Sequence, residues 1–143
     1  MEEAALSRFC QDLADAVIEG RLDDALRVYS YPLAVYRPGG VNVERSREDT
    51  QRALTGRMSV AKSNGTVAIA TKLLNIDRSK QGRIILEVEW AYLGPACKEL
   101  DRTHLRYYCR TDGSGALRIE MVDLERMAFH GAPGLWQLPD RPH

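Results

Sequence analysis

Few residues of this chain are suited to acid–base chemistry, and a carboxylate near the end of the last predicted strand is the first candidate. Residues 117–127 alternate as a strand, and the apolar side chains of its first half share parity with Asp123. In a regular strand Asp123 faces the apolar side, where partial loss of water raises a carboxyl pKa and suits general acid or base work. A bulge near Met121 or Val122 would turn it to the other face. We therefore take Asp123 as the candidate catalytic residue.

A second group of side chains could form the wall of a ligand pocket. Aromatic rings with a few polar tips are typical of a site for a flat apolar ligand. Arg37 follows Tyr36 and could hold a ligand carboxylate, or pair with Glu44 or Asp49. The same rings would equally suit a filled core. The predicted ligand-binding residues are Tyr36, Arg37, Trp90, Tyr92, Thr103 and Tyr107.

Other reactive side chains give weaker indications of a functional site. His104 is the only histidine inside a predicted strand, on its charged face, and no two histidines and a carboxylate have metal-ligand spacing. Cys10 and Cys109 fall on apolar faces, where a thiol acts as a small apolar filler. No glycine-rich segment opens a helix after a strand, as phosphate binding would need. We predict no metal and no cofactor.

The elements that must position these residues are indicated most clearly between positions 83 and 93. Apolar side chains, among them Trp90 and Tyr92, alternate there with a largely charged set that includes Glu87 and Glu89. Side chains on a strand alternate between faces, so this pattern predicts a long strand with one apolar face that needs a cover.

Helices in the first half of the chain can supply that cover. Apolar residues recur at helical spacing over residues 6–17 and again over residues 22–29. A third helix is predicted from about residue 47 to 62, with Ser46 and Asp49 forming a capping box. Helices first and long strands second predict an α+β domain: a cone-shaped, curved antiparallel sheet packed on three N-terminal helices, with a pocket between them. We assign residues 1–128 to one domain and 129–143 to a C-terminal tail.

The order helix, short helix, Tyr31-Pro32-Leu33-Ala34-Val35-Tyr36, helix, meander resembles the nuclear transport factor 2-like superfamily. The interhelical segment Gly20-Arg21-Leu22-Asp23-Asp24-Ala25-Leu26 is similar to that superfamily's first turn. The resemblance covers roughly residues 2–128 and implies a cystatin-like cone. Polyketide-cyclase-like proteins, ketosteroid isomerases and scytalone dehydratases share this fold, and so do carriers and binding modules. The resemblance therefore leaves the activity open.

Comparison with the ketosteroid isomerases argues against their reaction in this chain. Arg37 stands where that family has its catalytic aspartate before a proline, and an always-charged guanidinium cannot abstract a proton. Thr103 stands where the family has a protonated aspartate that stabilises an oxyanion. Polyketide-cyclase-like enzymes carry an acidic residue on a strand comparable to that of Asp123, which keeps Asp123 of interest.

Composition limits the partners and the compartment. Acidic and basic residues balance at 20 each, which argues against nucleic acid as a partner. No apolar run reaches the roughly 18 residues that span a bilayer. The three cysteines include no Cys-x-x-Cys pair, as expected of reduced thiols. We predict a cytoplasmic protein without membrane partners.

Three functions remain open from the sequence. We favour a small-molecule-binding protein with an apolar, aromatic pocket. We expect it to be homodimeric through an outer sheet face whose charges are self-complementary across a two-fold axis. The charged residues in question are Glu87, Glu89, Arg106 and Arg118. The alternatives are a cofactor-independent lyase, isomerase or cyclase that uses Asp123 on an apolar carbonyl compound, and a protein-interaction or assembly module.

Overall fold

The computed structural model describes residues 1–79 and 81–130, and this part of the chain contains three α-helices and six strands. The helices are α1 (Glu3–Ile18), α2 (Leu22–Leu26) and α3 (Arg47–Ser63), and a short 3₁₀ turn spans Pro95–Cys97. The strands are β1 (Tyr29–Arg37), β2 (Gly40–Glu44), β3 (Ala68–Arg78), β4 (Arg83–Leu93), β5 (Glu99–Thr111) and β6 (Leu117–Arg126). The predicted α+β class, with a curved sheet packed on N-terminal helices, is confirmed.

The strand order in the sheet is β2-β1-β6-β5-β4-β3. Strands β3 to β6 form an antiparallel meander, and the β1–β2 hairpin joins its open edge. At that junction β1 runs parallel to β6, so the sheet is mixed rather than wholly antiparallel. The parallel pair joins segments far apart along the chain, and local alternation carries no information on the relative direction of such distant segments.

The ends of α1 and α3 follow from local chemistry. After α1, Gly20 adopts φ +78°, and the Arg21 N–H donates to the Ala16 carbonyl at 2.8 Å. A left-handed residue just past the last turn is how many helices end. Before α3, the Ser46 hydroxyl accepts from the Asp49 N–H at 3.4 Å, while the Asp49 carboxylate accepts from the Arg45 N–H at 2.9 Å. The predicted cap and the limits of α3 are confirmed.

The core lies between the helices and one face of the sheet, called the inner face here. Along β4 the alternate residues from Ile84 to Tyr92 are buried, while Glu87 and Glu89 on the opposite, outer face are half-buried. Leu6, Cys10 and Val17 of α1 pack against the inner face. Burial of each large apolar side chain contributes roughly 1.5–3 kcal/mol. The predicted partition of β4 into an apolar and a charged face is confirmed.

A β-bulge in β6 changes which side chains face inward. Cys109 of β5 pairs with Ile119, but the preceding Tyr108 pairs with Met121, so Glu120 is an extra residue in β6. Beyond it, Val122 and Leu124 are the buried side chains and Asp123 lies between them on the outer face. The expectation that Asp123 faces the apolar side is therefore wrong, because it assumed a regular strand.

Two further sequence-based expectations concern the chain as a whole. Of the predicted tail, residues 129–143, the structure describes only Phe129 and His130; residues 131–143 lie outside the described part. The domain boundary at residue 128 stays a prediction. Within the described ranges, no helix has the length and apolar character needed to cross a membrane.

Candidate ligand-binding site

A cavity of about 40 Å³ lies between α3 and the inner face of the sheet. An ordered water needs roughly 10–15 Å³, so the cavity has room for about three or four waters. Its wall is mainly apolar and combines rigid rings with adaptable side chains. The rings are Tyr29, Trp90, Tyr92 and Tyr107, and the long unbranched side chains are Arg57, Met58 and Met127.

Four of the six predicted ligand-binding residues line this cavity: Trp90, Tyr92, Thr103 and Tyr107. Tyr36 does not, because Leu33 and Val35 are the inward residues of β1; Tyr36 lies on the outer face with 45% of its surface exposed. Its prediction as a pocket residue is wrong. Arg37 is half-buried at the end of β1, is not part of the cavity wall, and has interactions elsewhere in the protein.

A short chain of hydrogen bonds fixes Tyr92 in the wall. The Ala128 N–H donates to Thr103 Oγ1 at 3.0 Å, and the Thr103 hydroxyl donates to Tyr92 Oη at 3.1 Å. The Tyr92 ring also packs edge-on against Phe129, with ring centroids 5.3 Å apart. Since Thr103 uses its one proton on Tyr92, the proton of Tyr92 remains for another acceptor. Burial raises the pKa of Tyr92 despite this hydrogen bond, so the phenol stays a donor.

Trp90, also in the cavity wall, carries an unsatisfied donor. Its Nε1–H is buried and has no hydrogen-bond partner among residues 1–79 and 81–130. A buried polar group without a partner costs about 1–3 kcal/mol. Such groups are rare enough in folded proteins that each one calls for a physical explanation.

Among the described residues of the wall, Arg57 is the one charged side chain, and sequence reasoning missed it. It is half-buried on α3, and no carboxylate forms a salt bridge with it within the described ranges. Its positive charge acts to lower the pKa of Tyr29, Tyr92 and Tyr107, although burial outweighs it and raises all three. Helical spacing could have found it, because Arg57 follows Leu54 by three residues and so shares its inward face.

A buried carboxylate lies next to the cavity wall. The Tyr31 hydroxyl donates to Thr50 Oγ1 at 2.9 Å, and the Thr50 hydroxyl donates to Glu44 Oε1 at 2.7 Å. Thr50 lines the cavity, whereas Glu44 does not. The three residues come from β1, α3 and β2, so the chain of hydrogen bonds ties the edge hairpin to the helix that covers the cavity.

The outer face carries an ionic network. His104 Nε2 lies 2.7 Å from Glu87 Oε2 and 3.7 Å from Glu125 Oε1, and one ligand atom from each lies within 4.8 Å of the others. One imidazole and two carboxylates could hold a divalent cation. Arg106, however, lies 3.2 Å from Glu125 and 3.8 Å from Asp123, so a guanidinium already compensates this cluster.

Taken together, the geometry defines a class: an α+β cone whose N-terminal helices close an apolar cavity on the inner face of its sheet. The chain belongs to the family of NTF2-like proteins DUF6841, whose model matches residues 2–123. The predicted membership of the nuclear transport factor 2-like superfamily is confirmed. No curated protein sequence matches the chain.

Solved structures share the fold at low sequence identity. Aln2 from a Streptomyces species gives a TM-score of 0.65 at 12% identity, over 88% of this chain and 92% of Aln2. The beta subunit of the benzoate 1,2-dioxygenase from Burkholderia mallei gives 0.61 at 12% identity, over 93% and 94%. A ketosteroid isomerase-like protein from Erwinia carotovora atroseptica gives 0.57 at 8% identity, over 89% and 98%. At these identities the likeness concerns the fold alone.

Proposed function

We propose that the protein binds a small, largely apolar molecule in the cavity between α3 and the sheet. The observation that carries the proposal is the buried Trp90 Nε1–H, which has no partner in the described part of the protein although Trp90 lines a cavity. A ligand with one polar group would satisfy this donor and cover the apolar wall. Cavities of this composition are typical binding sites for small molecules.

The size of the cavity sets a condition on binding. About 40 Å³ holds a few waters, so a ring-sized ligand requires the wall to move. Met58 and Met127 are the side chains best able to do so, because an unbranched thioether changes rotamer at low cost. The proposal therefore includes movement of these two methionines when the ligand enters.

Binding can be tested through the fluorescence of Trp90. Trp136→Phe removes the chain's other tryptophan, and this background is titrated with single-ring and two-ring aromatic compounds. We expect saturable changes in Trp90 emission and a rise in melting temperature, since a ligand that binds only the folded state stabilises it.

Filling the cavity should abolish this binding. Val122→Phe, on the cavity wall, adds a ring at a cost of about 1–3 kcal/mol in stability. Val43→Phe, on the exposed outer face, is the matched control and should bind as the parent does. Equal binding by both variants, or no binding of any compound by the parent, would overturn the proposal.

We also propose that the outer face pairs two copies of the chain. The predicted charged residues all lie on that face, since Glu87 pairs with Arg106, Glu89 with His104, and Arg118 with Arg110. Beside them, the β1–β2 hairpin exposes Tyr36, Val41 and Val43 at 45–48% of their surface. An apolar patch next to a balanced set of charges suits a two-fold interface.

Sedimentation of the parent and of Val43→Lys tests this pairing. We expect a dimer for the parent and a monomer for the variant, because a lysine ammonium would have to be buried at the interface. Leu74→Lys, on the exposed edge strand β3, is the control and should stay dimeric. A monomeric parent at high concentration would remove this part of the proposal.

A further inference from the structure

We infer that the ligand is an apolar carboxylic acid in its ionised form, with its carboxylate bound by Arg57 and by the donors of Trp90 and Tyr92. This inference rests on the proposed function and specifies the chemical class that the cavity selects.

Two polar groups of the wall, the indole of Trp90 and the guanidinium of Arg57, can only donate hydrogen bonds, and the tyrosine hydroxyls of the wall can donate as well. The Trp90 Nε1–H has no partner in the described part of the chain, and an indole nitrogen can only donate. Tyr92 already accepts from Thr103, so its own hydroxyl proton is the group left over. The guanidinium of Arg57 has five N–H groups and no acceptor. A ligand that matches this wall must present acceptors.

The charge of the wall points the same way. Arg57 is half-buried over an apolar, aromatic cavity and makes no salt bridge within residues 1–79 and 81–130. The buried carboxylate of Glu44 accepts from Thr50 at 2.7 Å and does not line the cavity, so it does not occupy this guanidinium. A cation that loses water is strongly disfavoured unless it is paired. An anionic group on the ligand supplies the missing counter-charge.

The shape of the donors favours a carboxylate over other anions. A guanidinium is a planar fork that matches the two oxygens of a carboxylate, and such bonds are about twice as strong as neutral ones. One guanidinium balances one negative charge, whereas a dianionic phosphate would leave a charge uncompensated among aromatic rings. The remaining wall, formed by Leu33, Leu105 and Leu124 among others, suits an apolar body.

The test compares acids with their neutral amides. Phenylacetate, cinnamate and 2-naphthoate are each titrated beside the matching primary amide, by Trp90 fluorescence in the Trp136→Phe background and by calorimetry. We expect at least one acid to bind ten-fold or more tightly than its amide, because the amide keeps the shape but loses the charge.

A variant of Arg57 separates the contribution of its charge to binding from that of the shape of the cavity. In Arg57→Gln the preference for the acid over the amide should fall at least ten-fold, because the acid loses its counter-charge whereas the amide loses only a neutral partner. Arg52→Gln is the matched control on the exposed side of α3, where Arg52 pairs with Asp49, and should keep the full preference. Melting curves confirm that both variants are folded.

Each outcome bears on a different claim. Acid and amide binding equally, or a preference that survives Arg57→Gln, overturns the carboxylate inference and leaves small-molecule binding intact. If neither member of any pair binds, the proposed function itself fails, and this inference fails with it.

Discussion

Thr103 shows how the proton of a single hydroxyl is committed within this site. It accepts from the Ala128 N–H and donates its one proton to Tyr92, so it has no proton left to donate to a ligand. The likeness to ketosteroid isomerases would give this position a direct contact with substrate. In this protein Thr103 acts through Tyr92, by holding the phenol so that its proton is directed elsewhere.

Replacing Thr103 with valine tests this role. Valine has nearly the same shape but leaves the buried Ala128 N–H without its acceptor, which costs about 1–3 kcal/mol. We expect the free energy of unfolding from urea denaturation to fall by that amount. Thr111→Val, at the exposed end of β5, should change it by under roughly 0.5 kcal/mol. Equal effects at the two positions would contradict the role assigned to Thr103.

The three cysteines should differ in reactivity. Cys97 is exposed, whereas Cys10 and Cys109 are buried. Burial raises the pKa of Cys10 to about 12 and that of Cys109 further still, which suppresses their thiolates. At pH 8 we expect an aromatic disulfide reagent to modify one thiol rapidly and two slowly. The rapid phase should vanish in Cys97→Ser; three equal rates in the folded protein would contradict the described burial.

At the scale of elements, the cap of α3 matters because that helix carries Arg57 into the site. Ser46→Ala removes the hydroxyl that accepts from the Asp49 N–H, and such losses cost about 0.5–2 kcal/mol. We expect a matching fall in the free energy of unfolding by urea. Ser59→Ala, on the exposed side of the same helix, should leave stability equal or slightly higher, since alanine is the better helix former. A fall at Ser59 as large as that at Ser46 would count against the cap.

The elements also show which inferences a sequence supports. The faces of β4 and β5 follow from strict alternation, and the start of α3 from Ser46 and Asp49, because these signals are local. Asp123 was misplaced since one extra residue, Glu120, lies in the pairing of β6 with β5, and register between strands is not encoded locally. Arg57 was missed because a charged residue on a helix is expected to face water, although its spacing from Leu54 placed it inward.

At the scale of the molecule, the buried thiols and phenols should set the alkaline limit of stability. Burial raises the pKa of Cys10 from 9.0 to about 12, and it also raises the pKa of Tyr29, Tyr107 and Cys109. A raised pKa in the folded state means that the unfolded chain loses its proton first. The stability contributed by these groups is therefore complete below about pH 9 and is lost as pH rises toward 12.

Urea denaturation between pH 7 and 11 measures this loss. We expect the free energy of unfolding to fall above pH 9, with each fully shifted group contributing up to about 1.4 kcal/mol per pH unit. Cys10→Ala removes one such group. The free energy of unfolding should then fall less steeply between pH 9 and 11, once the constant loss from poorer packing is subtracted. An identical slope in parent and variant would show that Cys10 titrates alike in both states.

The extra residue in β6 has a genetic consequence. Loss of the codon for Glu120 would remove the bulge and let Met121 take the single place opposite β5, so Val122 and Leu124 would keep their partners and their inward positions. A regular strand that kept Glu120 would instead shift by one residue, which would send Val122 and Leu124 into solvent and bring the carboxylate of Asp123 inside. One triplet can therefore be lost at this position of the gene without exchanging the two sides of the sheet.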